Sequence, residues 1–265
     1  MADILADRNN MISIIIPVHN AENFIRDTID CVRGQSYTNW ELLLIEDGSA
    51  DRTMEVMTSY LDELGDGRIR LKRRGITTAE DKSFGAAKAR NMGISLAQGR
   101  YIAYLDADDW WRADKLEKEL AFLQEKKAGF VFTGYEFGDE NAKGTGKIVH
   151  VPETINYEQA LVNTTIFTST VMLDTEKIEK SLLRMPYIKS EDTASWWKIL
   201  KTGVTAWGLD ENLVIYRRPG KSLSSNKIEA LRRIWNLYRQ AAGLSVPASA
   251  WRFVVWAYRA VKRRL

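Results

Sequence analysis

Three carboxylates close an apolar run in Tyr101-Ile102-Ala103-Tyr104-Leu105-Asp106-Ala107-Asp108-Asp109. The run reads as a buried strand, and unpaired charge at its end is costly unless something cationic meets it. A divalent ion carrying a diphosphate suits these residues, because Mg²⁺ binds through one or two carboxylates plus phosphate oxygens. The plainer alternative is that Asp108 or Asp109 caps the following helix, a common use of Asp. A cap accounts for one carboxylate of the three. A second apolar run, Trp40 to Ile45, ends on Glu46-Asp47 and continues as Gly48-Ser49-Ala50-Asp51-Arg52-Thr53. There Gly48 permits a tight turn, and Ser49 or Asp51 can cap a helix. A third run, Ile12 to Ile16, breaks at Pro17-Val18-His19-Asn20, since proline cannot donate to a ladder.

These junctions need a scaffold that brings them together. The patterning predicts strands near residues 12–16, 40–46, 68–73 and 101–106, with helices near 21–34, 53–64 and 86–97. Alternating strands and helices imply an α/β fold with a mostly parallel sheet whose carboxyl edge collects the loops. Beyond it come a charged amphipathic helix over 114–126, strands over 130–137 and 168–173, a polar turn or loop over 139–146, and helix after 226.

Composition narrows the function. With 265 residues and 45% apolar content, the chain suffices for one large domain or two intimate halves. It has no run of about eighteen apolar residues, which argues against a transmembrane helix. Residues Met1 to Arg8 lack a basic region followed by an apolar core, so they do not read as a signal peptide. The single Cys31 fits a reducing cytoplasm and a small core residue rather than a nucleophile. One Cys with His19 and His150 makes an ordinary zinc site hard to assemble. Gly144-Thr145-Gly146-Lys147 lacks the first glycine of a P-loop and is followed by Ile148, so that motif is rejected. No Gly-x-Gly-x-x-Gly follows the first strand, which argues against a dinucleotide oxidoreductase. The nine Trp and the basic residues match no nucleic-acid-binding motif.

The net charge of +3 conceals an asymmetry: residues 221–265 carry +9 and the preceding 220 carry −6. A basic tail is expected to meet something anionic. Drawn as a helix, its end places Trp251, Val254, Tyr258, Val261 and Leu265 on one side and Arg252, Arg259 and Arg263 on the other, with Phe253 and Trp256 on the flanks. Two readings stand: a helix lying in an anionic membrane interface, and a terminal helix docked on its own domain through the same stripe. The charge favours the membrane.

Four blocks, Ile14-Ile15-Ile16-Pro17-Val18-His19-Asn20-Ala21-Glu22, Glu46-Asp47-Gly48-Ser49-Ala50-Asp51-Arg52-Thr53, Gly85-Ala86-Ala87-Lys88-Ala89-Arg90-Asn91-Met92-Gly93 and Asp106-Ala107-Asp108-Asp109, resemble in order and spacing those of family 2 glycosyltransferases, over about residues 11–112. The likeness continues more weakly to Glu191-Asp192. The segment Tyr216 to Lys227 is similar to the closing segment of bacterial members that build capsular or teichuronic-acid-type polymers.

The resemblance implies a GT-A (Rossmann-like) fold with a C-terminal helical extension. It divides the chain into a nucleotide-sugar half (1–112), an acceptor half (113–220) and a basic helical extension (221–265). It implies a hexosyltransferase-class enzyme that moves a sugar, with inversion, from a UDP-linked or similar donor to a saccharide or polyprenyl-linked acceptor in bacterial surface polysaccharide synthesis. The enzyme would work with Mg²⁺ or Mn²⁺ in the cytoplasm, at the inner face of the plasma membrane. Residue by residue, Asp108 is expected to hold the metal, and Asp106 the metal or the donor ribose. Asp47 is expected to accept from the uracil ring. Pro17, Val18 and Asn20 shape the base pocket with Glu22 nearby, and Ala87, Arg90 and Ala107 border the donor. Asp192 is the base that takes the acceptor proton, supported by Glu191. Plainer alternatives stand beside these: Arg90 as a salt bridge steadying the Asp51 or Asp106 region, and Glu191 or Asp192 as ordinary acids at a helix start. A non-catalytic sugar-nucleotide-binding scaffold is the alternative function. A sugar nucleotidyltransferase is disfavoured, because no Gly-rich loop follows the first strand.

Overall fold

The computed structural model describes residues 8–75, 85–217 and 227–262. Its first part alternates β1 (Ile12–Val18), α1 (Ile25–Arg33), β2 (Trp40–Glu46), α2 (Thr53–Leu64), β3 (Ile69–Arg73), α3 (Gly85–Leu96) and β4 (Tyr101–Tyr104). Then follow β5 (Trp110–Trp111), α4 (Lys115–Glu125), β6 (Phe130–Gly138), β7 (Gly144–Val149), β8 (Thr154–Ile155) and α5 (Tyr157–Leu161). A 3₁₀ turn over Thr168–Thr170 leads into β9 (Val171–Asp174), α6 (Lys180–Leu183), α7 (Glu191–Leu200) and β10 (Ala206–Arg217). The chain continues as α8 (Lys227–Asn236), a π-helical turn over Leu237–Ala241, and α9 (Val246–Lys262). Most of the closing motif, residues 218–226, lies outside the described residues.

The strands form one sheet in the order β3-β2-β1-β4-β9-β6-β10-β5. Strands β3, β2, β1 and β4 are parallel, as are β6 and β10, while β9 runs antiparallel between β4 and β6. The continuous apolar runs have a simple cause. Ile15, Leu43, Ile102 and Tyr104 face a core under α3 and α7, and Ile14, Ile16, Leu42 and Leu44 face a second core under α1, α2 and α4. A strand covered by helices on both faces has no polar side to alternate with. Because β1, β2 and β4 are parallel and in register, their loops emerge at one edge.

Three local expectations change. The stretch over 168–173 is strand only from Val171: Thr170 N donates to Phe167 O, closing a 3₁₀ turn that Thr168 and Ser169 fasten through their hydroxyls. The polar segment over 139–146 is a tight turn as far as Lys143, where Asp139 Oδ1 accepts from Asn141 N and Lys143 N, and β7 starts at Gly144. Neither Asp108 nor Asp109 caps a helix, since α4 begins only at Lys115.

Candidate functional site

At the carboxyl edge of β1, β2 and β4 lies a cleft of about 390 Å³, a volume suited to a small ligand. Pro17, Val18, His19 and Asn20 from β1 and its loop form one wall, and Asp106, Ala107 and Asp108 another. Asp47, Arg90, Ala86 and Phe24 complete it. A larger hollow of about 530 Å³ lies on the outer flank of α3 between Lys88 and Arg184. It is lined by no carboxylate, so it offers neither a base nor a cation ligand.

The loops around the cleft are fixed to one another. Asn20 takes a left-handed backbone (φ 51°), which Asn tolerates better than most residues. From there its N–H donates to Ser49 Oγ at 3.1 Å, and its Oδ1 accepts from Ala50 N at 2.8 Å. Glu22 Oε2 accepts from Arg52 N at 2.9 Å, outside the cleft lining. Thr53 and Asp51 fix the start of α2, with Asp51 Oδ1 accepting from Thr53 N at 3.0 Å. Gly48, at φ 73°, makes the turn between them.

Asp47 is buried and paired with Arg74. Burial pushes its carboxyl above the usual range, and the Arg74 contact opposes that shift. The start of α3 approaches so closely that a Cβ on Gly85 would sit 2.0 Å from Asp47 Oδ2, so any larger residue there would have to displace the Asp47 carboxylate. Two residues later Ala87 points into the core, and its neighbour Ala86 faces the cleft.

The three carboxylates after β4 do different things. Asp109 is fully buried and structural: it accepts from Ser169 Oγ at 2.5 Å and from Arg217 N at 3.2 Å, tying the β4 loop to the 3₁₀ turn and to the end of β10. Asp106 accepts from Arg90 Nη2 at 2.6 Å. Asp108 lines the cleft and makes no salt bridge among the described residues. Burial, then the Asp106 charge, pushes the Asp108 carboxyl up to about 6. Two carboxylates crowded at a cleft, one of them in no salt bridge among the described residues, fit a hard divalent cation that draws its remaining ligands from phosphate oxygens and water. Among the described residues no cluster of three or more candidate ligands forms.

Arg90 is the keystone of the second half of the site. Its buried guanidinium reaches Asp106 with Nη2 and Glu191 Oε1 with Nη1 at 2.8 Å. The salt-bridge reading of Arg90 therefore describes its geometry, with Glu191 as an additional partner and Asp51 engaged elsewhere. Burial pushes the Glu191 carboxyl up, and Arg90 draws it back. Glu191 and Asp192 open α7 after Ser190, whose φ of 60° is uncommon for a residue other than glycine. Asp192 Oδ2 accepts from Thr168 Oγ1 at 3.1 Å and Oδ1 from Thr193 N at 2.6 Å.

Sequence patterning passed over several contributors. Thr168 and Ser169 carry no signal, because their role is visible only once β9 lies beside β4. Arg217 is buried beneath Phe24, with its guanidinium 4.7 Å from the ring centroid. Burial pushes the Cys31 thiol up to about 12, which suits a core residue and not a nucleophile.

The sequence pattern described as "Glycosyl transferase family 2" matches residues 13–180. The chain is a family 2 glycosyltransferase. Over 256 residues the transferase is 41% identical to TuaG of Bacillus subtilis, named for teichuronic acid biosynthesis, covering 96% of this chain and 98% of that one. It is 36% identical to the Escherichia coli UDP-Glc:α-D-GlcNAc-diphosphoundecaprenol β-1,3-glucosyltransferase WfgD, over 86% of this chain and 85% of that one. Among solved structures, the mannosyltransferase PcManGT of Pyrobaculum calidifontis, in complex with GDP-Man and Mn²⁺, superposes with a TM-score of 0.69 at 17% identity, covering 93% of this chain and 73% of that one. The family and its GT-A fold are thus shared.

Proposed function

We propose that this transferase moves a sugar, with inversion, from a UDP-linked donor to a hydroxyl of a polyprenyl-linked saccharide during bacterial surface polysaccharide synthesis. The observation that carries the reading is the Arg90 bridge. It fastens Asp106, on the cleft wall, to Glu191, beside Asp192, so that one buried guanidinium links the proposed donor cleft to the turn carrying the candidate base. The printed activity of WfgD, a β-1,3-glucosyltransferase from UDP-Glc to a diphosphoundecaprenol-linked GlcNAc, supports the donor and acceptor classes.

In this reading residues 1–112 hold the donor, 113–220 the acceptor, and 221–265 an extension that meets the inner face of the plasma membrane. Pro17, Val18 and Asn20 border the nucleobase, and Asp47 accepts from its ring N–H. Asp108 and Asp106 would hold Mg²⁺ or Mn²⁺, which neutralises charge as the sugar–diphosphate bond breaks. Asp192 takes the acceptor proton while the acceptor oxygen attacks the anomeric carbon from the face opposite the leaving UDP. Thr168 and Thr193 N aim the two carboxylate oxygens of Asp192. Glu191 and Arg90 hold the turn on which it sits.

The test is a panel of UDP-, GDP-, CDP- and dTDP-sugars with Mn²⁺, offered with polyprenyl-diphosphate-linked saccharides, with the anomeric configuration of the product read by NMR. Transfer from a UDP-sugar with inversion is expected. Transfer with retention, or preference for another nucleotide, would overturn the corresponding part.

A further inference from the structure

Helix α9 docks on the body through one face and leaves an apolar face outward. On the docked side Ser249 is buried, Phe253 packs at 6.0 Å from Trp235 and 5.9 Å from Trp256, and Trp256 Nε1 donates to Thr164 Oγ1 at 3.4 Å. Arg252 closes that side with an ion pair to Glu158. At about 100° per residue, the opposite side carries Ala250, Trp251, Val254 and Tyr258. Trp251 is 67% exposed, Val254 62% and Tyr258 69%. A helix with one face docked normally turns polar residues to water. Here the outward face is apolar and aromatic: the helix docks through Phe253 and Trp256, and not through the Trp251, Val254 and Tyr258 stripe that the sequence offered for docking.

We propose that this outward face of α9 is a docking surface for an anionic phospholipid bilayer, lying in its headgroup region. The surrounding charge fits that occupant. No Asp or Glu occurs after Glu229, and Arg232, Arg239 and Arg259 are exposed on the same extension. Two tails of +9 would repel each other across a self-association of this face, which disfavours a second copy. Among the described residues no helix is long and apolar enough to cross a membrane. A helix with aromatic and aliphatic residues on one face and Arg beside them lies in the interface instead.

The position of α9 connects it to the chemistry. Thr164, which accepts from Trp256, is four residues from Thr168, which donates to Asp192. Four residues span at most ~14 Å, so the docking helix and the candidate base share one short connection. The claim that docking presents a lipid-linked acceptor to Asp192 rests on the proposed function, and the docking itself deepens the part of that reading that sets residues 221–265 against a membrane.

Deleting α9 would uncover the core beside Trp235 and Trp256, so the test uses Trp251→Ser/Val254→Ser/Tyr258→Ser in the full chain, which spares the docked face. Flotation with vesicles of phosphatidylglycerol and phosphatidylcholine, and with phosphatidylcholine alone, measures binding. UDP-dependent thermal stabilisation with Mn²⁺ measures the donor cleft in parallel. The wild type is expected to float with the anionic vesicles and be released by high salt, and the triple variant to bind at least roughly tenfold more weakly with unchanged donor stabilisation. Equal flotation of wild type and variant, or no flotation of the wild type, would overturn the proposal. So would a wild-type dimer that the substitutions convert to monomer, because the face would then belong to a second copy. Vesicle binding without sugar transfer would leave docking standing and remove the proposed function instead.

Discussion

Arg90 Nη1 lies 2.8 Å from Glu191 Oε1, joining α3 to the first turn of α7 across 101 residues of sequence. Because the same guanidinium holds Asp106, removing it strands two carboxylates in a largely buried space. Breaking a buried pair by removing one partner costs about 3–5 kcal/mol. Arg90→Met is expected to lose stability on that scale in urea denaturation. Arg90→Lys keeps the charge without a fork able to span both carboxylates, and should fall between the two. An unchanged midpoint for Arg90→Met would contradict the bridging role.

Asp108 tests the cation site. Its charge is disfavoured in the free protein by burial and by Asp106, so Asp108→Asn should leave the fold intact and no less stable at pH 8. Mn²⁺-dependent UDP binding, measured by calorimetry, should weaken by roughly a hundredfold, the scale of a lost contact between charged groups. Undiminished metal-dependent binding would remove Asp108 from the site.

Outside the cleft lining, Lys115 and Glu119 form a fully buried ion pair on α4, with Lys115 Nζ 4.1 Å from the Trp111 ring centroid. Burial pushes the Glu119 carboxyl up to about 7, above the ordinary 4.5, and pushes the Lys115 ammonium down, against their mutual attraction. The folded state holds the Glu119 proton more tightly than the unfolded chain does. Its favourable contribution is therefore complete below pH 4.5 and is lost as pH rises through about 7. Lys115→Met/Glu119→Leu should flatten the stability profile between about pH 5 and 8, with stability equal to or about 1–4 kcal/mol above that of the wild type. Glu119→Leu alone, which leaves the ammonium buried and unpaired, should cost about 3–5 kcal/mol. Equal slopes in all three proteins would contradict the assignment.

Much of this architecture was legible in the sequence because the first half obeys local rules. Apolar runs such as Ile12 to Ile16 are buried on both faces, and Gly48 and Asn20 mark the turns beyond them. Pro17, read as the end of the first strand, instead lies inside β1 opposite Ile45, and the strand continues to Val18. The carboxylates were legible as a group but not as individuals. Whether Asp109 meets a cation or Ser169 depends on β9 inserting beside β4, a pairing between segments about 70 residues apart that no local pattern encodes. Arg90 illustrates the same limit, since its partner Glu191 lies on an element whose position only the tertiary fold determines. On α9 the periodicity correctly grouped Trp251, Val254 and Tyr258. It could not reveal that Phe253 and Trp256, read as flanks, are the docked face, because that choice follows from Thr164 and Trp235 on other elements.

The most direct measurement is single-turnover transfer from a UDP-sugar to a polyprenyl-linked saccharide by the wild type and Asp192→Asn, with donor binding determined in parallel. An amide at residue 192 still accepts a hydrogen bond from Thr168 but cannot take the acceptor proton. Donor affinity should therefore stay within about threefold while the transfer rate falls by about 10²–10⁴, the range expected for loss of a general base. Transfer at the wild-type rate by Asp192→Asn, or a loss confined to donor affinity, would contradict the account.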